Sequence, residues 1–447
     1  MVNLQRLLLD DNEFEFIPIQ LYRVTSLREL TISSNLIHSM RAHELAQLEN
    51  LHSLDLSHNF LTDLPLEMFN LQSLEHLCLS HNRISRVPIE LGNLTALVEL
   101  RLDHNLIERI PDELCLCTFL HLLDLSHNHI DQVPVEIISL AHLNQVKLNN
   151  NNLHEVPDAI CFLRYVEELD LSCNQLTSLP LNMAELVHIR HLDISSNLFD
   201  KLPDNVCHLR KLQLLDVHNN KIESISPDIK DLQNLRELYA QGNQLTEVTK
   251  HVCALERAEV MSFANNNIAY VSKHCRLMQE LQELDLSHNA FTTFPACVAD
   301  IPNLRKLIFN QESGSKVTSL PEQMKRSSVS YLDVQHNALR VLPESLSLMK
   351  KLNHLDASHN QLHALPNALC SMTQLEHLFL ADNKLASLPL AFEEMRHLKR
   401  LTLMDNPLVN PPSDVCVGGK MQPIGRFLRS HFDREGTPCT SYQLISE

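Results

Sequence analysis

Glycine is scarce in this chain, seven of 447 residues, and tryptophan is absent. So few glycines leave few places for the sharp turns and exposed backbone amides on which hydrolytic nucleophiles are usually mounted. No apolar run approaches the roughly 20 residues that span a bilayer. Residues 1–16 also lack the basic-then-apolar order of a secretory signal, so the chain reads as cytoplasmic, with no membrane insertion. Positive charge is in deficit, 37 Lys and Arg against 55 Asp and Glu, for a net −18. That balance disfavours nucleic acid and anionic membrane surfaces and favours a protein partner with a basic or mixed apolar-basic surface. Gly/Ser-rich and Pro-rich linkers are missing too, so order is expected nearly end to end.

What is present is repetition. "LDLSHN" stands at 54–59, 123–128 and 284–289, with looser copies such as "LDVQHN" and "LDASHN" in the same frame. Aligning their Asn residues gives a 23-residue unit, LxxLxLxxNxLxxLPxxLxxLxx, opening 18 times from Leu4 to Leu398. The alternation LxLxx is a short strand with its Leu inside and the intervening residues outside. Leu-Pro, as at Leu64-Pro65 and Leu365-Pro366, ends pairing because Pro has no N–H. Strands lie about 4.8 Å apart while outer segments need more room, so the stack should bend with its strands inside. The expected fold is an α/β repeat solenoid, a horseshoe with a concave parallel sheet over 1–410. The block Asn recurs in 17 of the units, from Asn12 to Asn406, as expected of a buried amide serving loop backbone groups.

The unit departs from this form in two places. After Leu304 the expected Asn position is Glu312, and "NQESGSKVTSLP" carries about three extra residues, read as a surface bulge over 310–316. Residues 411–447 break the repeat, and Ile424, Phe427 and Leu428 stand at helical spacing, the pattern of a capping helix laid over the last repeat. The first repeat strand begins almost at Met1, so an upstream segment, dimerisation through this edge or a frayed first repeat is expected, the first of these favoured.

Asp, Ser and His within four residues imitate a hydrolase triad. Sequence neighbours on a strand cannot easily supply the order Ser, His, Asp at about 2.6–3.2 Å with an oxyanion hole. Repetition is the stronger objection, since a catalytic site is needed once, whereas the Asp slot recurs at Asp55, Asp124, Asp285 and elsewhere. No enzymatic activity is expected. Asp333, His336, Asp356 and His359 stack at ligand-like spacing, but periodic sequence readily mimics metal ligation, and neither metal nor cofactor is assigned. Cys115, Cys161, Cys207, Cys253, Cys370 and Cys416 share one slot, most of them two repeats apart. Two strand spacings exceed disulfide reach, so these are read as packing thiols of a reduced compartment.

Function is therefore sought on the concave face. Glu168, Asp170, Asp193, Asp216 and Glu237 gather acidic charge there, with Arg190 and Arg236 as the edge cations; Ser and His of the block are read as filling a solvated strand end, and Asp alone as facing a partner. Large apolar residues need not occupy water-facing strand positions. Leu214, Tyr239 and Val260 adjoin the acidic group, and Ile308, Tyr331 and Phe379 form a second set. Aromatics beside charge are the usual make-up of a binding hot spot.

The LPxxLxxLxxL unit between Asn blocks, and the ending "DNPLVNPPSDVCVGG" before a short helix, resemble the intracellular Ras-group leucine-rich-repeat proteins, including scribble- and erbin-type repeat domains. The resemblance covers nearly the whole chain. It implies a scaffold or adaptor in signal transduction, with a small GTPase or phosphatase complex among its partners. One motif of the group is missing: Arg23-Val24, Arg86-Val87 and Arg340-Val341 are followed two positions on by Ser26, Ile89 and Pro343, where phosphatase docking needs Phe. The alternative reading is a recognition module of a larger kinase, GTPase or ubiquitin ligase.

Overall fold

A computed structural model describes residues 3–41 and 45–431, which form two compact units, Met1–Lys221 and Ile222–Glu447. In the first, ten three-residue strands from Arg6–Leu8 to Leu214–Asp216 pair in parallel, each with the next repeat's strand. In the second, eight strands from Glu237–Tyr239 to Arg400–Thr402 do the same. The burial pattern of most strands alternates half-buried, buried, half-buried. The central Leu faces the core, as the LxLxx alternation predicts, and its flanking residues form the outer sheet face.

The Pro of each Leu-Pro or Val-Pro pair hands the chain to one 3₁₀ turn, as at Leu66–Asn70, Ile89–Asn93 and Asn367–Ser371, with Pro65, Pro88 and Pro366 in extended conformation just before it. Only five residues are available there, too few for a stable α-helix. Three repeats of the second unit carry Ser226, Thr249 and Ser272 where Pro would stand. Ser272 keeps its N–H and donates it to Val248 O (2.9 Å), and Glu247–Val248 pairs with Tyr270–Val271 as a second, two-stranded sheet.

The Asn of each block is a buried connector. Asn128 Nδ2 reaches the carbonyls of Leu102, Leu125 and Ser126 at 3.0–3.1 Å, and its Oδ1 accepts from Ile107 N at 2.9 Å. It thus binds its own loop to the preceding one. The bulge repeat keeps half of this link by another route: Gln311, fully buried, donates to Leu286 O (3.1 Å), the carbonyl the slot's Asn would use, while its Oε1 accepts from Asn289 N (2.8 Å). The extra methylene lets it act from one position earlier than the expected Asn. Gly314 sits where a Cβ would collide with the Gln311 amide and the Asn289 carbonyl. Lys306 pairs with Tyr331, 25 positions on, where most rungs are 23 apart. The loop thus carries three extra residues before Val317, as expected, and one fewer between Val317 and the next Asn leaves the net gain of two; its interior side chain is buried.

At the other end, the helix Met421–His431 lies on the turn Leu390–Glu394, with Ile424 and Leu428 buried, Phe427 half-buried, and Arg429 3.2 Å from Glu393. Residues 432–447, the rest of the expected cap and tail, lie outside the described residues.

Candidate binding surfaces

The block Asp is tied into its own turn. Asp55 Oδ1 accepts the Ser57 N–H at 2.8 Å, and Asp193, Asp285 and Asp356 accept at the same point from Ser195, Ser287 and Ser358. In Asp124 and Asp170 the Ser hydroxyl donates as well, at 2.7 Å. These Ser residues are buried rather than solvated, because their N–H and often their hydroxyl are spent on the Asp. Ser bonded directly to Asp, with no imidazole between them, has no base to activate it. The next residue takes a left-handed backbone, φ 53° at His58 and 50–57° at its counterparts from Asp11 to Asp405. Asn, Asp and His tolerate that region better than most side chains, which accounts for their use there.

In the first unit, parallel register aligns Asp170, Asp193 and Asp216 in one row across three strands. Burial pushes the Asp170 and Asp193 carboxyls up from the usual range; the Ser hydrogen bonds oppose this, and the neighbouring carboxylate adds to it. His218 Nδ1 lies 2.6 Å from Asp216. Glu168 and Leu214 share the parallel row, with His191 between them. One cation was overlooked in the sequence: Lys147 is paired opposite Asp170, with Nζ 3.9 Å from Glu168. The expected edge cations are both engaged, Arg190 with Glu167 (3.7 Å) and Arg236 with Glu259 (3.3 Å).

In the second unit, Glu237, Tyr239 and Val260 occupy outer sheet positions, and the Tyr239 hydroxyl donates to Glu237 at 2.8 Å. Tyr331 stacks on His354 at 4.1 Å, and His354 lies 5.1 Å from Phe379, so an imidazole joins the two aromatics. Ile308 does not join that group; Asp333 and Asp356 stand between it and Phe379 in its row. Asp333 is buried, which pushes its carboxyl up to about 6, with Asp356 adding repulsion. His336 and His359 stack at 4.2 Å, but Asp333 and Asp356 are spent on Gln335 N and Ser358 N, so the four do not assemble as one ligand set.

All six expected apolar contacts, Leu214, Tyr239, Val260, Ile308, Tyr331 and Phe379, are half-buried. Apolar residues more exposed than these lie on the outer turns of the first unit: Leu66, Ile89 and Val135 directly follow Pro, as does Leu181 at 87% exposure. The signal was the apolar letter after the Pro of the unit, where Asp112 and Asp158 show that a polar residue suffices.

The eleven described cysteines are free. Burial pushes the thiols of Cys115, Cys161, Cys253 and Cys370 up to about 12, consistent with packing roles. Among the described residues, no helix is long and apolar enough to cross a membrane.

Two family models match. One, described as a leucine-rich repeat region, matches residues 166–290; the other, a leucine rich repeat, matches 2–61, 49–107 and 118–176. Similar solved structures include a leucine-rich-repeat protein of Leptospira interrogans, 28% identical, TM-score 0.76, with 91% of this chain and 96% of that chain covered. Another is the ectodomain of the plant membrane receptor kinase GASSHO1/SCHENGEN3 from Arabidopsis thaliana, in complex with CASPARIAN STRIP INTEGRITY FACTOR 2. It is 26% identical, TM-score 0.60, over 91% of this chain and 56% of that one. The Arabidopsis receptor kinase HAESA, in complex with the peptide hormone IDA and the co-receptor SERK1, shares the fold at 24% identity, TM-score 0.58, over 91% and 79%.

Proposed function

We propose that this chain, a leucine-rich-repeat protein, is an intracellular scaffold or adaptor in signal transduction that binds protein partners through the outer face of its strands. Leucine-rich-repeat proteins generally act as protein-binding modules, and the GASSHO1/SCHENGEN3 and HAESA complexes support reading such repeats as docking surfaces. The observation that carries the proposal is the row Asp170, Asp193, Asp216, three carboxylates on adjacent strands in a half-buried setting. Like charges so placed repel one another, and a basic partner relieves that repulsion while gaining its own neutralisation. The partner we favour presents basic residues around an apolar patch, as in a small GTPase or phosphatase complex, in the cytoplasm; the buried free thiols suit that compartment. The helix Met421–His431 serves as the cap.

Proximity labelling and pull-down with wild type against Asp170→Asn/Asp193→Asn/Asp216→Asn test the reading. Loss of a set of basic partners is expected, and an unchanged partner profile would overturn it. In the second unit, Tyr239→Ala should weaken a captured partner by about 2 kcal/mol or more without loss of folding; equal affinity in a titration removes that residue from the surface.

A further inference from the structure

We propose that His81, Asp103 and His104 form a binding site for one zinc(II)-class divalent cation, on the strand-end loops of the first unit and apart from the acidic row. Their ligand atoms all lie within 4.8 Å of one another, the one such group of three among the described residues. Asp103 Oδ2 is 3.1 Å from His104 Nδ1 and 4.0 Å from His81 Nε2. Two imidazoles and one carboxylate are the donors that borderline transition ions prefer, while calcium and magnesium demand oxygen.

The surroundings orient the donors. Ser80 Oγ donates to Asp103 Oδ1, which turns Oδ2 toward the imidazoles. A hydrogen bond to the far oxygen of a ligating carboxylate is the supporting shell that metal sites use. The left-handed backbone at His81 and His104, φ 53° and 54°, fixes where each ring starts. His81 and His104 stand in a run of four stacked rings from His58 to His127, with centroids 3.9–4.1 Å apart. Both side chains are 40% accessible and Asp103 is 15% accessible, so a hydrated ion can reach the site. Zinc needs its donors at about 2.0–2.2 Å; closing the 4.0 Å gap takes a turn of one exposed ring out of the stack.

The composition of the rung is particular to this place. Asp103 occupies a slot that is Ser in the repeats on either side, Ser80 and Ser126, and is followed by His with His in the rung before. Asp10 shares the slot, but it is followed by Asp11 and is occupied by Thr31 and Ser33. His359 and Asp382, 2.9 Å apart, are a pair without a third member.

The test is titration of metal-stripped full chain with zinc(II) against a chromophoric chelator, and with cobalt(II) read by its d–d absorption. His81→Asn and His104→Asn suit the left-handed backbone, because Asn150, Asn219 and Asn265 hold it in other repeats; Asp103→Ser restores the neighbouring residue type. One equivalent of metal is expected, with each variant at least tenfold weaker and an unchanged urea midpoint without metal. His58→Asn, which keeps all three donors, should bind as wild type does. Affinity in the three donor variants equal to wild type, or equal weakening by His58→Asn, would overturn the site.

Discussion

The Asn of each block shows how much one side chain can hold. Asn128 has four backbone partners drawn from two repeats, all buried. Asn128→Ala is expected to cost about 1–3 kcal/mol, the penalty for orphaned buried groups, read as a lower urea midpoint. That role was legible from recurrence alone. Gln311 was not, because counting positions assigns the slot to Glu312, and only the reach of a longer amide reveals the substitute. The Asp slot was legible as a row of charge, but its bond to the N–H two residues on depends on turn geometry that the letters do not display. Asp333 makes this measurable. Its carboxyl is raised to about 6 by burial, above the ordinary ~3.9, so the folded state holds the proton more tightly than the unfolded one. Stability should therefore fall as pH rises from about 4 through about 6, by up to ~3 kcal/mol. Asp333→Asn should remove that segment of the pH profile and be the more stable protein at pH 8; parallel urea midpoints from pH 4 to 8 would contradict it.

At the scale of elements, strands and their outward residues follow from the LxLxx alternation, and the observed registers agree with it. The second sheet of Glu247–Val248 and Tyr270–Val271 was written in the replacement of Pro by Ser272, whose N–H it uses, a signal that means something only once the outer turns are seen side by side. The apolar spacing of Ile424 and Leu428 foretold their burial. Ile424→Asp would place an unpaired charge against the turn Leu390–Glu394, a change worth several kcal/mol locally. Faster amide exchange across 413–430 is expected, with protection of the first unit unchanged; uniform exchange in both proteins would show that the helix is not held there.

For the molecule as a whole, charge is the leading quantity. A net −18 gives association with a cationic partner a long-range attraction that salt removes over about 8 Å at physiological strength. Association rates measured by stopped flow should drop about tenfold or more between 20 and 300 mM salt, while dissociation changes little; a salt-independent on-rate would rule out steering. Net charge was plain from composition. The placing of Lys147 opposite Asp170 required the register. The loop at 310–316 carries one last consequence, which concerns how such a chain can change in length. A residue inserted within a strand moves its later side chains to the other face, so changes of length fall to whole 23-residue units or to the connecting loops, as in the 24-position step from Glu29 to Ser53. Here three surplus loop residues were absorbed because Gln311 reached back to the file of buried amides and Gly314 made room for it. A later deletion of those three residues that left Gln311 in place would be expected to cost more than the insertion did.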